Sequence, residues 1–219
     1  MMMTFYKKLL EYRWYLGWAL MAVSAVLAFM QSWEWFSVAL FFALFALISH
    51  LAFGPLRLIQ EAMQANDMVL AQKYINMVHF PKLLIKPIRQ GFYMLQSNMA
   101  MNNKDFTKAE SLMKESIKSS SSLMGKENEG ASYLQLGMIA MQNGKSSEAR
   151  KNLRIAIQKG LPDSETLAAA YLQLSSIELQ ARNLKIGKEY FKKAKALKPQ
   201  TPEIKSQLLQ MEKYIHKVR

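Results

Sequence analysis

Three histidines, His50, His79 and His216, are the only imidazoles in the chain. A hydrolytic zinc centre needs two of them on one helix face, as in HExxH, together with a further ligand. These three stand in unrelated segments, so no metal site is expected. The chain has no cysteine, which removes disulfides, thiolate metal ligands and a Cys nucleophile. Asn143 to Ser147 reads NGKSS and has the Gly-Lys-Ser order of a phosphate loop. That loop requires four residues between its first glycine and the Gly-Lys pair, whereas Gly137 and Gly144 have six between them. The carboxylates read as scattered over solvent-type positions, with no general acid and base pair. The expectation is a protein that is not an enzyme, with no cofactor and no small-molecule substrate.

The remaining chemistry is charge. The net charge is +13, and before Gly54 only Lys7, Lys8 and Arg13 stand against Glu11 and Glu34. Nearly all of the excess therefore lies from Pro55 onward. Arg150, Lys151, Arg154 and Lys159 form one cluster, and Lys188, Lys192, Lys193, Lys195 and Lys198 form another. A solvated face accounts for such runs. Beside a bilayer a basic surface also attracts anionic lipid, at about 1 kcal/mol for each Lys or Arg near the surface, so Arg150, Lys151, Arg154, Lys188, Lys192 and Lys193 are a candidate lipid-facing set. The basic runs lack the regular interleaving of aromatic residues that a base-stacking platform requires, and nucleic acid is not expected as a partner.

Positioning these groups falls to two regions of different composition. Residues 1–54 contain two apolar runs, Trp14 to Met30 and Phe36 to Phe53, separated by QSWEW. Each run is 17 or 18 residues, and a helix of that length covers roughly 26 Å, close to the hydrocarbon core once flanking aromatics reach the interface. Trp14, Trp18, Trp33 and Trp35 are placed for that role. A cleaved signal peptide, with Val26-Leu27-Ala28 before the cut, competes for the first run. The second run so close behind fits a membrane hairpin better, and the lack of a polar face on either run counts against a buried core hairpin. Lys7, Lys8 and Arg13 precede the first span and Arg57 follows the second, while the loop carries only Glu34. The positive-inside bias then puts both ends in the cytoplasm of a multi-pass (inner) cell-membrane protein. His50 lies near the cytoplasmic end of the second span, where a neutral imidazole reaches the interface, and is read as structural.

Residues 55–219 carry a repeat. YLQL opens at Tyr133 and again at Tyr171, 38 positions later. The same offset aligns Leu136 with Leu174, Ala149 with Gly187, Leu153 with Phe191 and Ala156 with Ala194. Large and small residues alternate at the spacing of two amphipathic helices joined by a tight turn. Tyr133, Leu136-Gly137, Gly144, Ala149, Leu153, Ala156 and Pro162 resemble the tetratricopeptide repeat. Tyr171, Leu174, Phe191, Ala194 and Pro199 form a second copy, with Ser175 in place of the first Gly, Gly187 in place of the packing Ala, and Asn183 as its turn residue. Between the two copies KGLPDSET is a short insertion. Tyr93, Ala100, Phe106, Ala109, Met113 and Ile117 form an earlier copy with the turn Asn102-Asn103-Lys104-Asp105 and the loop KSSSSLMGKENEG after it. Ala62, Asn66-Asp67, Ala71, Ile75 and Val78 form a degenerate first one.

The resemblance implies an all-α fold: two transmembrane helices, then a tetratricopeptide-like solenoid. Its units run over about 55–80, 90–118, 130–160 and 168–199, and a closing helix follows at 202–218, with Thr201 as N-cap, because solenoids need a capped end. It also implies that the basic clusters lie on the convex side and that the first helix of each unit lines a concave groove. The groove positions are Met94, Asn98 and Met101, then Leu134, Met138 and Met141, then Leu172, Ser176 and Leu179. Only Asn98 among them has the chemistry of a carboxylate clamp. The Met and Leu surface suits an apolar or amphipathic helical segment of a partner protein, because the thioether repacks against different shapes. Members of this family act mostly as scaffolds, some bacterial ones membrane-anchored. The leading expectation is an adaptor with protein and membrane lipid as partners, and the alternative is a small subunit of a transport or envelope-assembly complex whose hairpin is the working part.

Overall fold

The computed structural model describes residues 2–30, 32–53, 55–120 and 126–217. It divides into two compact units, Met1–Gln96 and Ser97–Arg219, so the change in composition at Gly54 falls inside the first unit. Among the described residues there are eleven α-helices and no strand.

The first unit opens with α1 (Met2–Phe29) and α2 (Trp33–Phe53). The last three residues of QSWEW belong to α2, leaving a shorter break than the sequence suggests. The two helices meet through small residues: a Cβ on Gly17 would stand 2.6 Å from the Leu47 side chain, and Ala43 and Ala46 are buried. Close approach of backbones is how apolar helices associate when no aqueous driving force separates their faces. Outward, Phe29, Trp33, Trp35, Phe41 and Phe45 are all exposed. Tyr12–Phe29 and Trp33–Phe53, 18 and 21 residues, are long and apolar enough to cross a membrane by length and composition. His50 is buried, its ring 5.3 Å from that of Trp14.

Next come α3 (Leu56–Gln64), α4 (Met68–Asn76), a 3-10 turn at Pro81–Leu83 and α5 (Lys86–Asn102). The second unit takes the end of α5, then α6 (Phe106–Lys118), α7 (Lys126–Gln142), α8 (Ser146–Lys159), α9 (Ser164–Gln180), α10 (Leu184–Ala196) and α11 (Pro202–Lys217). Residues 126–130 of the expected loop KSSSSLMGKENEG are the first turn of α7, and 121–125 lie outside the described residues.

One backbone motif explains the four helix pairs. Asn66, Lys104, Gly144 and Arg182 have φ of 57, 58, 71 and 61°. In each case the next residue's N–H reaches back to the last helical turn: Asp67 to Ala62 O (2.9 Å), Asp105 to Ala100 O (2.9 Å), Lys145 to Ala140 O (2.9 Å) and Asn183 to Glu178 O (2.8 Å). This is a Schellman termination, which satisfies carbonyls that have no partner within the helix. The degenerate first pair is thus built like the others. In the fourth pair the left-handed residue is Arg182, and the expected turn residue Asn183 instead precedes α10. Asp67 and Asp105 cap the following helices by accepting from Leu70 N and Lys108 N.

Inside the second unit, Leu134, Ala140, Ala149, Leu153, Ala156, Ala170, Leu174 and Ile177 form one core cluster. Gly137 is required there, since a Cβ would lie 2.9 Å from Leu153. Serine stands at the equivalent position in two neighbouring pairs for a different reason. Ser97 Oγ donates to Ala109 O and Ser175 Oγ to Gly187 O, each at 2.8 Å and buried. The loss of the packing alanine at Gly187 lets Leu179 approach, to 2.7 Å from where a Cβ would be. A second cluster joins Leu172, Phe191 and Ala194 to Ile204, Leu208, Met211 and Ile215 of α11.

Candidate protein-binding groove

The nine groove positions do not form one uniform surface. Leu134, Leu172 and Leu179 are buried and serve packing: Leu134 in the first core cluster, Leu172 under α11, Leu179 over Gly187. These three positions therefore offer a partner little free surface of their own. Asn98 Oδ1 accepts from Gln135 Nε2 of the next helix pair. Met94, Met101, Met141 and Ser176 are half-buried, Met94 in the first unit and the others in the second. Met138 is the open position, 42% exposed.

At the last repeat the surface deepens into a cavity of about 390 Å³ between α9 and α11. From α9 come Leu172, Ser176 and Leu179 with Gln173 and Gln180; the opposite wall is Gln207, Gln210, Met211 and Tyr214 of α11. Sequence alone shows α11 as a closing helix, and its second role as a cavity wall follows from how it packs on α9. Its signal was the row Gln207, Gln210, Tyr214, polar but uncharged at helical spacing. No charged residue lines this cavity, so its chemistry is that of amides, a hydroxyl, a phenol and thioether. Such a lining accepts apolar side chains and hydrogen-bonds peptide groups without selecting a charged terminus.

Away from the cavity, the carboxylates are not all on solvent positions, contrary to expectation. Glu110 is 3% exposed and Glu178 1% exposed. Glu110 is reached by Lys114 Nζ (2.6 Å), Lys145 Nζ (2.9 Å) and Asn143 Nδ2 (2.7 Å). Burial raises its pKa, and the hydrogen bonds from Lys114, Lys145 and Asn143 outweigh that effect and hold it at about 2. Glu178 pairs with Arg150 (2.8 Å) and Arg154 (3.5 Å) and accepts from Asn183 Nδ2 (2.8 Å). Two of the six candidate lipid-facing cations, Arg150 and Arg154, are therefore engaged in joining α8 to α9. Lys193 lies over the Tyr171 and Tyr190 rings, at 5.8 and 5.6 Å. Lys151 and Lys192 are exposed and Lys188 half-buried.

Residues 168–201, from within α9 through α10 to the residue before α11, match the tetratricopeptide repeat family model, and the turn geometry extends that pattern to four helix pairs. Residues 168–201 are a tetratricopeptide repeat, and the chain around them has a tetratricopeptide-like helical solenoid fold. The tetratricopeptide fold is also found in two solved structures. One is a chain of the APC/C hetero-tetramer Cut9-Hcn1, with a TM-score of 0.57 and 16% identity over 89% of this chain and 36% of that one. The present chain thus spans about a third of its length. The other is Pseudomonas aeruginosa pilF, with a TM-score of 0.54 and 12% identity over 93% and 86% of the two chains. At these identities the likeness is one of fold. No curated protein matches the sequence.

Proposed function

We propose that this protein is a membrane-anchored scaffold. Its N-terminal hairpin crosses the cell membrane, its repeats lie on the cytoplasmic side, and it captures a segment of a partner protein along the first helices of the repeats. The observation that carries the reading is the uncharged cavity between α9 and α11, in register with exposed Met138 one repeat earlier. Repeat arrays bind extended partners on such surfaces. The partner chemistry that fits is an apolar or amphipathic segment, which Met138 and Met141 contact through adaptable thioethers while the glutamines of the cavity bond its polar groups. The exposed apolar surface of α1 and α2 supports the anchor.

The test is crosslinked capture from native membranes, comparing the parent with Met138→Glu/Met141→Glu and with Ser176→Trp, which fills the cavity. The expected result is loss of the same captured protein in both variants, with helical content and membrane fractionation unchanged. Equal capture by parent and variants overturns the groove as the binding surface.

A further inference from the structure

We infer that the segment His79–Lys86 is a membrane-surface element, which lies on the anionic headgroup layer of the bilayer that the hairpin spans, with Phe80, Leu83 and Ile85 immersed and Lys82 and Lys86 at the lipid phosphates. This rests on reading α1 and α2 as transmembrane.

The segment HFPKLLIK is a built structure. Pro81 opens the 3-10 turn, and Leu83 N–H and Leu84 N–H donate to Phe80 O (3.0 Å) and Pro81 O (3.2 Å). Leu84 points inward and is 2% exposed, while Arg89 donates to its carbonyl from Nη2 (2.8 Å) and Nε (3.2 Å). With Leu84 fixed, its neighbours are forced outward. Phe80, Leu83 and Ile85 are 55, 56 and 43% exposed, three large apolar side chains in six residues, at a site rigid enough to keep them out.

The position of the segment identifies what covers them. Ile85 N–H donates to Ala52 O (3.1 Å), a carbonyl of the final turn of α2 that has no intrahelical donor. At the other end the His79 ring stacks on Trp14, 6.1 Å away, and Trp14 also meets His50. The segment is therefore tied to α2 where its apolar run stops and to α1 where its run begins, which is the headgroup level of a spanning hairpin. Aromatic and aliphatic side chains beside lysines are the composition of an interfacial element, with the lysine stems lying along the apolar layer. Charge agrees. Lys82 and Lys86 are exposed, and no acidic residue occurs from Met68 to Lys104, so nothing in the neighbouring sequence opposes an anionic surface.

The native chain has no cysteine, so Leu83→Cys and Phe41→Cys can each carry a single environment-sensitive nitrobenzoxadiazole label. The full chain is reconstituted in phosphatidylcholine–phosphatidylglycerol vesicles containing doxyl-labelled lipid. The expected result is quenching of both labels, that at position 83 more by a shallow doxyl group and that at 41 more by a deep one. Quenching at 41 without quenching at 83 overturns the inference and leaves the hairpin reading standing, whether the label at 83 reports water or a protein cover such as a second copy. Quenching at neither site overturns both. Adding Lys82→Glu and Lys86→Glu to the Leu83→Cys chain should lower its immersed-to-withdrawn ratio on phosphatidylglycerol by roughly fivefold or more per lysine, with little change on phosphatidylcholine alone. The same ratio with and without the charge reversals on phosphatidylglycerol overturns the assignment of the lysines to lipid phosphate.

Discussion

Arg182 and Gly144 occupy the same left-handed backbone slot, yet only the glycine was legible as a turn, because glycine alone enters that region without a Cβ penalty. Arg182 is held there by its N–H to Leu179 O (3.0 Å) and by the bond that follows it from Asn183. Replacement by glycine removes the strain and adds a smaller unfolded-state entropy cost. Arg182→Gly is expected to raise stability by about 0.5 to 1 kcal/mol, read as a higher thermal midpoint of the full chain in detergent. Gly144→Ala should lower it by about 1 kcal/mol. The buried carboxylates were illegible for another reason. Glu110 owes its burial to Asn143 and Lys145, 33 and 35 positions away, and no local pattern reveals a partner at that distance. The consequence is a pH dependence. A carboxyl that titrates near ~4.3 in the unfolded chain and at about 2 in the fold stabilises the fold fully above the first value. It loses that contribution as pH falls through the second. The stability difference between parent and Glu110→Gln should therefore narrow steadily as acid is added from roughly pH 5 to roughly pH 2. A difference that stays constant over that window would show that the ion cluster does not stabilise the fold.

At the scale of helices, the pairs α7–α8 and α9–α10 could be read from sequence because a fixed offset of 38 carries their large and small packing residues. The degenerate pair α3–α4 was readable only through Asn66-Asp67 and Ala71. What sequence did not convey is that one helix can both cap and line. Ile204, Leu208, Met211 and Ile215 close the core over Leu172 and Phe191, while Gln207, Gln210 and Tyr214 face the cavity. The two sets form adjacent stripes of α11 with Met211 at their border, so the same helical period that fixes its packing fixes its exposed polar wall. Leu208→Ala is expected to cost about 1 to 2 kcal/mol, below the full cost of a core leucine because the side chain is only half-buried. An unmodified Ser176→Cys thiol in that background should react faster with thiol reagents, as α11 detaches more often from α9. A stability loss without faster labelling would place the damage elsewhere than at this contact.

For the molecule as a whole, the sequence divides by composition at Gly54 whereas packing divides it within α5, since apolar runs mark solvent preference and do not report which helices touch. Topology depends on the first of these. Lys7, Lys8, Arg13 and Arg57 flank the two apolar helices and Glu34 alone marks the turn between them, and the orientation we propose from the positive-inside bias has the turn outside and the repeats in the cytoplasm. In the cysteine-free background, Ser32→Cys should react with an impermeant maleimide on intact cells, and Ser206→Cys, exposed on α11, only after permeabilisation. The reverse pattern inverts the orientation and removes any cytoplasmic partner from consideration. Equal reaction at both sites excludes a spanning hairpin, since α1 and α2 then do not separate two compartments. The mass of the purified chain supplies the remaining discrimination. Loss of the residues up to Ala28 identifies the first run as a cleaved leader, which leaves α2 as a single span and puts the two ends of the chain on opposite sides. Retention of Tyr12–Phe29 keeps both candidate spans, and with the maleimide pattern above it fixes the array on the side where the basic flanks lie.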